Sequence, residues 1–296
     1  GYMFSATFPP HVVRLAAQFL DNPESLSLSH AHVHVLDTEH LFAMVEGLDK
    51  DRSLVRLIEI ENPTSALIFC NTKANVHYVA TVLQRFGYNA DELSSDLGQN
   101  AREKVLKRIR EGKLRFLVAT DVAARGIDIP ELSHVIQYEP PEDPEAYIHR
   151  AGRTGRAGAA GEAITLVSGF ERIELQRIAK RYEIDMQEYK VPSDEQVAKV
   201  VGERLTALLE ARLRGLDKIH RERMERFEPV IEELTSEDAG RELIAMLLDE
   251  FYQQSLNRSP VADTDETDSS EKSDKNKKSG RRSSRGGRSR SRKRKS

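Results

Sequence analysis

The sequence predicts an α/β protein: a parallel sheet with helices on both faces, followed by a small helical unit and a disordered basic tail. Three observations carry this expectation. Short apolar runs at Val33–Leu36, Ala66–Cys70, Phe116–Ala119, His134–Gln137 and Ala163–Val167 alternate with helical patterns near 50–60, 74–86, 99–111, 143–150 and 170–182. Strands of that kind, spaced by helices, belong to sheets covered on both sides. From Val197 to Ile219 the apolar period is helical alone. Beyond residue 257 almost nothing apolar remains, and such a composition cannot offset its own ordering entropy.

In chain order, Gly1-Tyr2-Met3-Phe4 reads as a buried strand entered midway, and the chain therefore as a fragment. Pro9-Pro10 opens a helix through Val12, Leu15, Ala16, Phe19 and Leu20, and Asp21-Asn22-Pro23 stops it. Residues 1–28 form this first segment and 29–192 the sheet domain. His30, His32, His34 and His40 fall in a linker-like stretch and read as non-ligands. Residues 193–256 repeat Val197, Val201, Leu205, Leu208, Leu209, Leu213, Leu216 and Ile219 at helical spacing. Pro229 interrupts, and Thr235-Ser236-Glu237-Asp238 resembles a helix cap before Leu243, Leu247, Leu248, Phe251 and Tyr252. This unit is too short to bury a large core alone. Its two apolar sets are expected to cover each other, and either the sheet domain or a second copy to cover the rest.

The net charge of -3 conceals an asymmetry. Residues 258–296 carry 14 basic and 6 acidic side chains, leaving 31 basic and 42 acidic ones for the remainder. An acidic body with a basic end concentrates affinity for nucleic acid at that end. One cysteine, Cys70, excludes an internal disulfide, and a Cys/His zinc site lacks ligands. There is no apolar run long enough for a membrane span and no signal-peptide pattern, so a reducing, cytoplasmic setting fits.

Ligands of such sheets bind at the carboxyl ends of strands, and four segments there carry chemistry. Ala119–Asp128 places two acids, a hydroxyl, an arginine and a glycine after a strand, which suits a nucleotide as well as an ordinary capped helix. Tyr147–Gly158 repeats Arg150, Arg153 and Arg156 every three residues among glycines. Glycine permits close backbone approach to an anion, and arginine forks match phosphate oxygens. Ile68–Lys73 ends a strand in small polar groups, where Asn71 or Thr72 serves as a cap or the helix end meets a phosphate. Gln99-Asn100-Ala101-Arg102 opens another helix.

In order, the chain reads Ser5-Ala6-Thr7, LIFCNTK, QNAR, ATDVAARGID and HRAGRTGR. That succession resembles the DEAD-box RNA helicases, from their third conserved motif to their sixth, over about residues 1–190. The resemblance implies a RecA-like sheet. Residues 1–28 would end a first lobe, with Ser5 and Thr7 coupling its ATP site to unwinding, and 29–192 would be the whole second lobe. Arg153 and Arg156 match the arginine fingers that reach the γ-phosphate, and His149 would bridge the lobes. Gly126 lies near the phosphates and Asp128 on the ribose, while Asp121 and Arg150 organise the site. Thr72, Gln99, Arg102 and Thr120 match contacts to the RNA backbone, which make binding sequence-independent. At Leu93-Ser94-Ser95-Asp96 the chain departs from the family's His-Gly-Asp. Residues 193–256 and the tail are similar to the extension of bacterial cold-shock-type members, which serves dimerisation and RNA binding.

The chain shows no phosphate-loop motif, no adenine-reading glutamine motif and no DEAD tetrapeptide. ATP with Mg²⁺ is the implied cofactor, the magnesium ligands belonging to the missing first lobe, and the chain alone is expected to be inactive. Two other readings compete: a non-catalytic RNA-binding and dimerising module, and a DNA helicase or chromatin-type translocase of the same superfamily. The ATP-facing Arg153, Arg156 and Asp128 disfavour the former, and the HRAGRTGR spelling disfavours the latter.

Overall fold

Seven strands, β1 (Thr38–Met44), β2 (Ala66–Phe69), β3 (Ala90–Leu93), β4 (Phe116–Ala119), β5 (His134–Gln137), β6 (Gly161–Val167) and β7 (Met186–Tyr189), form one parallel sheet in the order β3-β4-β2-β5-β6-β1-β7. The computed structural model describes residues 1–3, 10–24, 26, 38–125, 132–155 and 161–256. The strand expected at Val33–Leu36 and the tail at 257–296 lie outside these residues, as do Ser5, Thr7, Gly126, Asp128 and Arg156.

Side chains alternate between the two faces of each strand. Leu67, Phe69, Leu117, Ala119, Val135 and Ala163 enter one core, with Val105, Leu106 and Ile109 of α4 (Gln99–Arg110), Tyr147 and Ile148 of α6 (Pro144–Ala151), and Leu175 and Ile178 of α7 (Gly169–Tyr182). Ala66, Ile68, Phe116, Val118, Ile136 and Ile164 enter the other, under Leu54, Leu57 and Ile58 of α2 (Lys50–Glu61) and Val76, Val79 and Leu83 of α3 (Lys73–Arg85). Burial on both faces is why these strands read as unbroken apolar runs.

Three sequence expectations need correction. Residues 1–3 are not a strand, Tyr2 is 92% exposed, and Phe4 lies outside the described residues; among the described residues they pair with none of the seven strands. The helix α1 (Pro10–Phe19) does form, with Val13 and Phe19 exposed. His40 is not in a linker but inside β1, buried between β6 and β7, where its Nδ1 meets the Tyr147 hydroxyl at 2.9 Å. The third correction concerns the helical unit.

That unit comprises α8 (Asp194–Arg214), α9 (Lys218–Glu225), α10 (Glu228–Ser236) and α11 (Asp238–Leu256). Ser193 caps α8, accepting from Gln196 N at 3.3 Å while Gln196 Oε1 accepts from Ser193 N at 2.9 Å. Thr235 and Ser236 finish α10 rather than open α11, the Thr235 hydroxyl bonding back to Ile231 O at 2.8 Å. The unit is anchored by polar groups. Tyr252 of α11 donates to Glu59 Oε2 of α2 at 2.9 Å, and Arg204 of α8 donates to Tyr252 Oη at 2.8 Å and to Glu59 O at 2.9 Å. Tyr88 also donates to Glu59. The two apolar sets are covered only in part: Leu205, Leu208, Leu248 and Phe251 are half-buried, whereas Leu213 is 45% and Ile219 72% exposed, and Leu243 and Leu247 are exposed as well. α8 docks through its middle, at Arg204, and α11 through its last turns, at Tyr252, while Leu209, Leu213, Leu243 and Leu247 face outward.

Burial, then the adjacent Glu59 carboxylate, pushes the Tyr252 phenol up to about 12. A pKa raised in the fold contributes stability that is complete below the unfolded value, about 10, and disappears as pH climbs through the folded value. Tyr252→Phe is therefore expected to cost about 1 kcal/mol at neutral pH and to flatten the loss of stability between pH 10 and 12. Urea melts across that range test this; parallel curves for the two proteins would refute it.

Candidate nucleotide and nucleic-acid edge

The carboxyl ends of β2, β4 and β5 are tied together by one side chain. Arg150, on the last turn of α6, is 1% exposed. Its Nε and Nη2 donate to the two oxygens of Asp121, each at 2.7 Å. Nη2 also donates to Asn71 Oδ1 at 2.8 Å, and Nη1 to Glu139 O at 2.9 Å and Gln137 Oε1 at 3.3 Å. The guanidinium lies 5.1 Å from the centre of the Phe69 ring. Asn71 follows β2, Asp121 follows β4 and Glu139 follows β5, so the forked geometry of arginine fixes three loops at once.

Each loop is closed by its own bonds. Thr72 caps α3, its hydroxyl accepting from Asn75 N at 3.1 Å. Asn71 N donates to Glu139 Oε2 at 2.9 Å, and Asn75 Nδ2 to Glu139 Oε1 at 2.6 Å. Thr120, buried, caps the one-turn helix α5 (Asp121–Ala124) through Ala123 N at 3.4 Å. Arg102 reaches across from α4 to Ala123 O at 2.9 Å. Lys73 binds Asp96 at 2.5 Å, drawing the departing Leu93–Asp96 segment beside the start of α3.

The expected RNA residues thus come to one edge. Thr72 and Thr120 sit at the ends of adjacent strands, Arg102 is braced on α5, and Gln99 is exposed at the first position of α4, where it donates to Glu103 at 3.1 Å. His149 and Arg153 are half-buried, on α6 and the turn after it. Beyond Arg153 the chain is held down. Thr154 is buried and donates to Leu132 O at 2.6 Å and Ser133 O at 3.0 Å. Gly155 has φ +69°, and a Cβ on Gly161 would stand 2.3 Å from Gly155 N. The two glycines pack back to back, and alanine at Gly161 has no room.

Sequence reasoning missed one part of this edge. Lys50, buried at the start of α2, donates to Glu171 Oε1 of α7 at 2.7 Å and to Tyr138 O at 3.2 Å, and Tyr138 donates to Asp51 at 2.7 Å. The Glu171 carboxyl is itself desolvated, yet Lys50 and the Ser168 amide hold it below the usual carboxylate range. A lysine at a helix start carries no signal that it will be buried. Cys70 is inert for another reason: burial, aided by Glu139, pushes its thiol far up.

The sheet, its order and this edge define a RecA-like helicase domain. A family model for the helicase conserved C-terminal domain matches residues 49–158. The RNA helicase CrhR of Synechocystis is 38% identical over 253 residues, 85% of this chain and 50% of that protein. The C-terminal domain of the DEAD-box protein Dbp5 superposes with a TM-score of 0.51 at 32% identity, over 56% of this chain and 98% of that one. Dbp5 of S. cerevisiae bound to RNA and ADP BeF3 gives a TM-score of 0.60 at 32% identity, over 68% of this chain and 54% of that one.

The chain belongs to the DEAD-box RNA helicase family. It spans between a third and about half of the length of the curated relatives it matches. Among the described residues, no helix is long and apolar enough to cross a membrane.

Proposed function

We propose that this chain is the C-terminal portion of an ATP-dependent RNA helicase, which remodels RNA by ATP-driven closure of two RecA-like lobes in the cytoplasm. The observation that carries the reading is the Arg150 clamp. A buried guanidinium sets the loops of Thr72 and Thr120 and the turn of Arg153 on one edge. Cationic and hydroxyl groups ordered along an edge suit a polyphosphate and an RNA backbone. In this reading residues 1–28 end the first lobe, with Ser5 and Thr7 as couplers, and 29–192 are the second. Arg153 and Arg156 neutralise the γ-phosphate, His149 bridges the lobes, and Gly126 and Asp128 meet the phosphates and ribose. Thr72, Gln99, Arg102 and Thr120 hold RNA without regard to sequence.

Bound ATP supplies the free energy that draws the lobes together, and the residues here fit its phosphates but not its metal. Asp121 and Glu139, carboxylates of this edge, are committed to Arg150 and to Asn71 and Asn75. The Mg²⁺ ligands are assigned to the first lobe. The test compares RNA-stimulated ATP hydrolysis by this chain alone and joined to its upstream coding sequence. Hydrolysis by the joined protein only is expected. A joined protein that binds RNA without hydrolysis would favour the non-catalytic, dimerising module.

Residues 193–256 are assigned to homodimerisation, supported by the outward leucines of α8 and α11. The segment 1–256 is expected to run as a dimer at tens of micromolar, and Leu209→Glu with Leu213→Glu as a monomer. Light scattering decides, and a monomeric parent segment would end this assignment. The tail is assigned to phosphate attraction. Deleting 271–296 is expected to weaken RNA binding and flatten its salt dependence, because fewer counterions are released. Equal slopes with and without the tail would remove it from the binding surface.

A further inference from the structure

At the opposite edge of the sheet, where the strands begin, a second polar cluster takes no part in the site above. His134 opens β5 and lies directly across from Glu162 of β6, which in turn lies across from Glu39 of β1. The side chains share the face covered by α2, whose last residue is Glu61. One ligand atom each from Glu61, His134 and Glu162 fall within 4.8 Å of one another.

The protons of this cluster are accounted for by its neighbours. Ser133 Oγ gives its own hydrogen to Ser65 O at 2.7 Å, so at 2.9 Å it accepts that of His134 Nδ1. The other ring nitrogen, Nε2, is shut off from solvent and sits 3.2 Å from Glu162 Oε2. Two ligand atoms that close are held by a cation between them, a proton or a metal ion.

A single proton could serve, but the surroundings ask for more charge. Glu61, Glu162 and Glu39 bring three carboxylates, and like charges opposite one another in a sheet are destabilising. Glu61 ends a helix whose last turn holds no basic residue, and the carbonyl end of a helix attracts cations. Tyr189 fixes the Glu61 carboxylate through Oε1 at 2.5 Å. Two ligand atoms of a tetrahedral site with bonds of about 2.0 Å stand about 3.3 Å apart, close to the His134–Glu162 separation of 3.2 Å. A metal-bound histidine characteristically gives its other N–H to a fixed acceptor, the part Ser133 plays. His134 is 12% exposed and Glu162 34%, so the cluster is walled on one side and open to water ligands on the other.

The geometry points to a divalent transition-metal site formed by His134, Glu162 and Glu61, of the one-imidazole, two-carboxylate kind that takes Zn²⁺ or Mn²⁺ in preference to Mg²⁺. It lies on the edge away from the proposed ATP and RNA contacts and does not depend on them. Joining α2 to β5 and β6, the ion would brace the helix that also anchors Tyr252 and Arg204.

The full 296-residue chain, stripped with a chelator, is titrated near neutral pH with Zn²⁺, Mn²⁺ or Mg²⁺ alone, by calorimetry and by thermal melting. One equivalent of Zn²⁺ or Mn²⁺ is expected to bind and raise the melting temperature, with no matching effect of Mg²⁺. His134→Gln and Glu162→Gln are expected to weaken binding at least tenfold. Should His134→Gln unfold β5, Glu61→Gln at the helix end is the second variant, with circular dichroism as the check on folding. Bound Co²⁺ is expected to show the visible absorption of a four-coordinate ion in the parent and to lose it in the variants. No saturable binding at tens of micromolar metal would mean that only a proton sits here. Undiminished affinity in the folded variants would place the metal on other histidines. Either result overturns the site.

Discussion

Alanine in place of Arg150 is expected to lower the stability of the chain by about 3–5 kcal/mol, the range for removing one partner of a buried charge pair. The guanidinium is 1% exposed and makes five hydrogen bonds to Asp121, Asn71, Glu139 and Gln137. Without it, Asn71 Oδ1 and Glu139 O lose their donor, and the face of Phe69 loses its cation. The Asp121 side chain is 40% exposed and regains water, which places the effect toward the lower end. Arg150→Lys keeps a charge but not the fork, and is expected to recover less than half of the loss. Urea melts of the three proteins measure this. A loss below about 1 kcal/mol, the scale of a single ordinary hydrogen bond, would show that the loops are held by their own caps.

In the protein joined to its upstream lobe, Arg156→Ala is expected to slow RNA-stimulated ATP turnover on the order of 10³-fold, the scale of an arginine finger in phosphoryl transfer. The melting temperature should stay where it is. The separation follows from the residues before it. Thr154 is tied to Leu132 and Ser133, and Gly155 is packed on Gly161, so residues 154 and 155 are held by contacts of their own. A contact made only in the transition state lowers turnover without raising the apparent substrate constant. Near-normal turnover in Arg156→Ala would remove the finger assignment while leaving the RNA contacts standing.

The central strands were legible because both their faces are buried. Ala66–Phe69 and Phe116–Ala119 read as apolar throughout, and both are buried throughout. The edge strands β3 and β7 were not. Asp91 and Glu92 in one, and Gln187 and Glu188 in the other, face partly into solvent, so neither segment has the apolar content of a strand. β1 was hidden by Thr38, Glu39 and His40 at its start, polar residues of which His40 is buried against the Tyr147 hydroxyl of α6. The proposed RNA contacts at Thr72, Gln99, Arg102 and Thr120 rest on motif order. Asp121 and Arg150 were expected to organise the site, but the parts of Asn71 and Glu139 in the clamp were not, because the four residues come from separate segments and meet only once the sheet is built. The outward leucines of the helical unit have the same origin: periodicity shows that a face is apolar but not which residues of it find a partner.

The clamp also bears on the entropy of binding. Asn71, Asp121 and Glu139 are brought into register by a side chain of the same domain, in bonds that form as the sheet folds. The configurational freedom of those three loops is therefore given up at folding, not at the moment a ligand arrives. In the proposed role, an anion or a nucleic-acid strand reaching this edge meets loops already held in place. The free energy of contact is then available for bringing two bodies together instead of ordering one of them.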